Sequence, residues 1–164
     1  MNVTSSAIAA AQTVFDDAEP PGPHYGPAVT GRAEPAHLAY SMELAGPLEP
    51  RGIAVLAADP GAAATDNASH MTIDILPPAL RPHWEQIQQA VSAHVTSAAT
   101  GPLAAATDPA LEGRTGLVVG PAGTVDETLL AFVTPELTAA VRTWTARLMA
   151  TAAGRLDGRS EGRT

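Results

Sequence analysis

Residues 51–61 read RGIAVLAADPG, with six consecutive apolar residues, Ile53 to Ala58, between Gly52 and the pair Pro60-Gly61. Unbroken apolarity, unlike alternation, predicts a strand covered on both faces, as in a parallel sheet. Residues 116–121, GLVVGP, repeat the pattern on a smaller scale, and MNVTSSAIAAA at 1–11 opens like the end of a third strand. Helical spacing fills the intervals. In 34–49, Ala36, Leu38, Ala39, Met42, Leu44 and Ala45 share one side, predicting a helix over Pro35–Ala45. Pro35 would sit in its first turn and Gly46-Pro47 would end it. Trp84, Ile87, Val91 and Val95 predict helix across 83–107, interrupted at Gly101-Pro102. The clearest helix is 135–153, with Thr134 as N-cap, Pro135 at the first position and a stripe of Leu137, Val141, Trp144 and Leu148. Residues 16–31, with four prolines and three glycines, read as an irregular loop, and 154–164 as a disordered polar tail. Strand and helix alternate, so the fold class is α/β, with a small parallel sheet of about three strands and flanking helices.

Composition limits the function. At 164 residues the chain is expected to be one domain, here 1–153. Apolar residues reach 45% but aromatics only 4%, so the core must close on small side chains. The formal charge of −8 opposes binding to a phosphate backbone, which argues against nucleic acid. There is no cysteine, which removes disulfides and thiolate chemistry. There is no lysine either, so no Lys amine can act. The absence of a basic, apolar leader and of a spanning apolar run predicts a cytoplasmic protein without a membrane partner.

Simple catalytic patterns are missing. His24, His37, His70, His83 and His94 form no HExxH and no i, i+4 pair, so no metal is expected. There is no GxSxG elbow and no phosphate loop. Asp16, Asp17 and Glu19 cluster in the Pro-rich stretch and read as a solvated acidic loop.

A constellation in chain order says more. NVTSS at 2–6, AHLAYSMELAGPL at 36–48, the run RGIAVLAADPGAAAT at 51–65 and GPLAAATDPALEGRTGLVVGP at 101–121 together resemble the C-terminal half of a short-chain dehydrogenase/reductase, nearest to its retinol-dehydrogenase-like group. The resemblance implies a truncated Rossmann-like three-layer fold. It places Ser5 on the family's catalytic serine, and Pro60, Gly61 and Thr65 on the loop that contacts nicotinamide. Ala105 to Pro109 match a segment that is structural in the family. Two departures accompany it. Thr30 and Glu34 stand where the family has its catalytic tyrosine and lysine. A threonine hydroxyl is far less acidic than a phenol, and Glu34 has the wrong sign to lower a neighbour's pKa. Tyr25 and Tyr40 are the only tyrosines; Tyr40 reads as packing, and Arg32 is badly spaced from Tyr25 to stand in for the lysine. The Gly-rich dinucleotide half of the family also has no counterpart in these residues.

The expected function is therefore a dehydrogenase-like pseudoenzyme without oxidoreductase activity of its own, acting as a subunit or remnant with no cofactor. One alternative is an active NAD(P)-dependent oxidoreductase. Another is a cofactor-free protein that binds or isomerises a small apolar ligand beside Ser5. The first strand would present an open edge, predicting a homodimer or another partner that covers it.

Overall fold

The computed structural model describes residues 1–10, 23–91 and 94–160. Its strands are β1 (Asn2–Val3), β2 (Leu56–Ala58) and β3 (Leu117–Val119). The α-helices are α1 (Gly26–Leu48), α2 (Asp66–Ser69), α3 (Trp84–Ala90), α4 (Val95–Ala98), α5 (Thr100–Thr107), α6 (Glu127–Leu130) and α7 (Pro135–Ser160). The strands form one parallel sheet in the order β1-β2-β3, with Asn2 opposite Ala57 and Ala57 opposite Val118. The mixed α/β class with a small parallel sheet is thus the observed one.

Strand alternation sorts the core onto two faces. Ala57 and Val118 point to one face, where Leu38 of α1, Leu129 of α6 and Ile8 cover them. Leu56, Ala58 and Val119 point to the other, against Ala105 of α5 and Leu111. This two-sided burial is why β2 and β3 are apolar without alternation. Both connections step the same way across the sheet, yet α1 and α5 lie on opposite faces. The two crossovers therefore have opposite hands, and one is the rare left-handed form. Outside α1, α7 makes a second layer: Ala36 and Ala39 pack against Leu137 and Val141. Arg142 of α7 pairs with Glu43, and the Arg32 guanidinium lies 6.0 Å from the Trp144 ring centroid. Thr134 caps α7 by accepting from the Leu137 N–H at 3.2 Å. Beside it, Glu136 is held below the ordinary carboxylate range by its own backbone N–H and by Thr134.

Several boundaries differ from the expectation. The stretch read as loop at 16–31 yields its last part, from Gly26, to α1, while Asp16, Asp17 and Glu19 lie outside the described residues. Pro27, near the helix start, needs no donor there. Pro35 is not in the first turn; it is a buried residue in mid-helix, and Gly31, four residues back, presents no side chain beside its ring. Gly46-Pro47 does not end the helix, which reaches Leu48. Between 83 and 107 the helix is divided into α3, α4 and α5, and Gly101-Pro102 form the first turn of α5 rather than an interruption. The helix expected over 135–153 runs on to Ser160. Tyr40, read as packing, is half exposed.

Candidate functional site

In a parallel sheet, the strand ends where chains leave toward the helices are the usual place for a ligand. Here those ends are Thr4 after β1, Asp59 after β2 and Gly120 after β3. The pairing continues one residue beyond the strands: Thr4 N–H donates to Ala58 O at 2.9 Å, and Asp59 N–H to Val119 O at 2.8 Å. Counting by twos, the Thr4 and Asp59 side chains share the face of Ala57 and Val118, which is the face under α1.

Both side chains are buried, Thr4 to 3% exposure and Asp59 to 2%. Asp59 Oδ1 accepts from Gly61 N–H at 2.8 Å, which tightens the loop leaving β2. That loop needs glycine. Gly61 has φ +69, and a Cβ there would lie 3.2 Å from Pro121 in the loop leaving β3. Thr4 Oγ1, by contrast, has no hydrogen-bond partner, and neither has the buried Oε2 of Glu34. A buried polar atom left without a partner costs free energy, so each of them weakens the fold. At the third strand, Asp126 Oδ1 accepts from Thr128 and Leu129 N–H groups to start α6, while its Oδ2 faces Gly120.

The residues expected to carry chemistry are dispersed around this edge. Ser5 follows β1, and its Oγ accepts from Ala7 N–H at 3.1 Å, so it serves the turn that follows. Pro60 and Gly61 follow β2 at the same end of the sheet. Thr65 is farther on, where its Oγ1 caps α2 by accepting from Ala68 N–H. Thr30 is exposed on α1, one turn before Glu34. Ser41, on the same helix, takes a hydrogen bond from Asn2 Nδ2 at 2.7 Å and ties β1 to α1. The three strand ends thus lie side by side, whereas Thr30 and Thr65 do not join them. Thr4 and Asp59 were not singled out by sequence reasoning. The signal for Asp59 was available, as an acid closing an apolar run; for Thr4 it lay hidden beside Ser5.

Two grooves are formed among the described residues. One of about 280 Å³ lies between α2 and α3 and is lined by Thr65, Met71, Trp84, Ile87 and Val91. The other, about 340 Å³, follows β3 and is lined by Pro121, Thr124, Asp126 and Glu127. Among the described residues no three of His, Asp, Glu and Cys come together as a metal set, and no helix is long and apolar enough to cross a membrane. Comparison of the chain with protein-family models, with curated proteins and with solved structures finds no match.

The unpartnered hydroxyl predicts an unusual mutant. Thr4→Val removes it while keeping a β-branched shape, so the variant is expected to be more stable by about 1 kcal/mol. A thermal melt measures this; a lower melting temperature would show that the hydroxyl has a partner in solution.

Proposed function

We propose that this chain is a short-chain-dehydrogenase-like protein with no oxidoreductase activity of its own, working as a subunit of an assembly. The observation that carries the reading is the open side of the sheet at β1. Among the described residues, β1 pairs only with β2, and Val3 is 52% exposed on the face that α5 leaves bare. The outer edge of β3, by contrast, carries an antiparallel bridge between Val119 and Val125. An uncovered apolar edge invites another chain. The order and parallel sense of the strands support a truncated Rossmann-like arrangement, in which NVTSS, the Pro60-Gly61 loop and GLVVGP end up as neighbouring strand ends. The partner is either a second copy, meeting it through this edge and α1, or a longer dehydrogenase-like chain.

Catalytic silence rests on residue chemistry. Thr30 and Glu34 cannot supply the acidic phenol and the ammonium that the family's hydride transfer uses. Ser5 is engaged by Ala7 N–H. The lack of cysteine is what a reducing, cytoplasmic setting would favour.

The test is a thermal melt with and without millimolar NADPH, run beside turnover assays and a mass measurement. A ligand bound only to the folded state at a hundredfold its Kd would add about 2.7 kcal/mol. The expected result is an unmoved cooperative melt, no nicotinamide oxidation and a mass above that of one chain. Turnover with NAD(P)(H) would overturn the silent reading and restore an oxidoreductase. A monomeric mass at micromolar concentration, with no partner bound, would overturn the subunit reading.

A further inference from the structure

Helix α3 carries an apolar stripe that the core does not absorb. Trp84, Ile87 and Val91 recur at helical spacing, the pattern of a face meant for burial. Yet α3 has no buried residue, and none of the three belongs to a core cluster among the described residues. All three instead line the groove of about 280 Å³ shared with α2, as does Met71, which is 39% exposed. The walls are held by contacts outside the groove. Leu76, which lies between the two helices in sequence, is 2% exposed. Arg81 Nε donates to its carbonyl at 3.2 Å, and the same guanidinium pairs with Asp74 at 3.3 Å. Helix α2 is stitched by its own side chains: Thr65 Oγ1 accepts from Ala68 N–H, and Ser69 Oγ donates to Asp66 O. The recess between α2 and α3 is thus formed without a core beneath it to fill it.

Size and charge define what fits. An apolar cavity of about 150 Å³ takes up one benzene ring, so about 280 Å³ has room for two fused rings. A protein partner would need a far larger contact, about 800 Å² on each side. Trp84 supplies an aromatic wall, against which a flat ring packs better than an aliphatic one. Asp66 is the one charged residue among the described residues of the lining, and the chain as a whole carries −8. An anionic group would therefore find no cation here and would be repelled. We infer that the groove between α2 and α3 binds a small, flat aromatic molecule without negative charge, such as an aryl alcohol. Ser5 does not line this groove, so the site differs from the pocket expected beside that residue. The inference does not rest on the dehydrogenase-like reading, because ring binding and nicotinamide binding are measured separately.

The experiment is an NMR titration of the isotope-labelled full chain with naphthalenemethanol. It follows the indole N–H signals of Trp84 and Trp144, assigned with Trp84→Phe. Trp144 packs between α7 and α1 and serves as the internal control. A saturable shift of the Trp84 signal is expected, with Trp144 unmoved. Naphthoate should bind about threefold or more weakly than the alcohol, and Asp66→Asn should close that gap. Ile87→Glu puts a charge into the groove at a half-buried position outside the core, and should lower the affinity about tenfold or more. Asp66 is exposed, so Asp66→Asn carries the test even if Ile87→Glu lowers stability. Equal shifts of both indole signals, or a response that does not saturate, would overturn the site, as would undiminished affinity in a folded Ile87→Glu. Naphthoate binding as tightly as the alcohol would overturn the charge assignment. Equal affinity for the saturated decalin alcohol would overturn the aromatic one.

Discussion

Gly101→Ala is expected to lower the urea midpoint of the chain sharply, the largest loss of stability of any single glycine change here. Gly101 is in the first turn of α5, pressed against the ends of β2 and β3. A Cβ at this position would lie 2.6 Å from Gly120 O and 2.8 Å from Asp59 O. Both obstacles are backbone oxygens, and both belong to the strand ends that make the candidate site. Neither can rotate away as a side-chain tip would. Relief requires α5 to lift from the sheet, which uncovers Ala58, Val119 and Ala105 together. The cost is about 3 kcal/mol or more, a large share of the total stability of a domain this size. Gly46→Ala is the matched control. Gly46 is also helical, but nothing lies within 4 Å of an added Cβ there. Its gain in helix propensity is offset by the restriction that Pro47 places on the preceding residue, so a change within about 0.5 kcal/mol is expected. Urea midpoints followed by circular dichroism would separate the two. A Gly101→Ala midpoint equal to the parent's would mean that α5 does not rest on the strand ends.

What was legible in the sequence follows from what each signal measures. Continuous apolarity reports two-sided burial, and it located β2 and β3 within a few residues because α1 and α5 do cover opposite faces. Proline and glycine report local backbone cost. They misplaced α1, because tertiary packing holds Pro35 inside a helix whose neighbouring Gly31 and Ala39 are small and buried. The candidate site was legible only in its chain order. Pro60 and Gly61 do leave β2 at the C-terminal end of the sheet, and Glu34 was singled out for its charge. The consequence of that charge could not be read from spacing. A carboxylate oxygen without a partner is a property of what faces it across helix and sheet, and so is the burial of Thr4 and Asp59. Thr65 matched a motif by identity, yet its hydroxyl is used as a helix cap, a role that any threonine before a short helix can take.

Leu38→Ala is expected to cost about 4 kcal/mol, toward the upper part of the range for such truncations. Leu38 is 1% exposed and joins α1 to Ala57, Val118, Ile8 and Leu129. Two physical reasons place it high. The neighbour directly on β2 is alanine, which has no side chain to swing into the void. The backbone beneath it is held in a three-stranded ladder that cannot sink inward without losing register. The cavity therefore stays open, and its lining loses contacts on every side. Leu148→Ala, on α7, removes the same atoms where the side chain is 37% exposed and is expected to cost only about 1 kcal/mol. Leu38→Met fills nearly the same volume and should stay within about 1.5 kcal/mol of the parent.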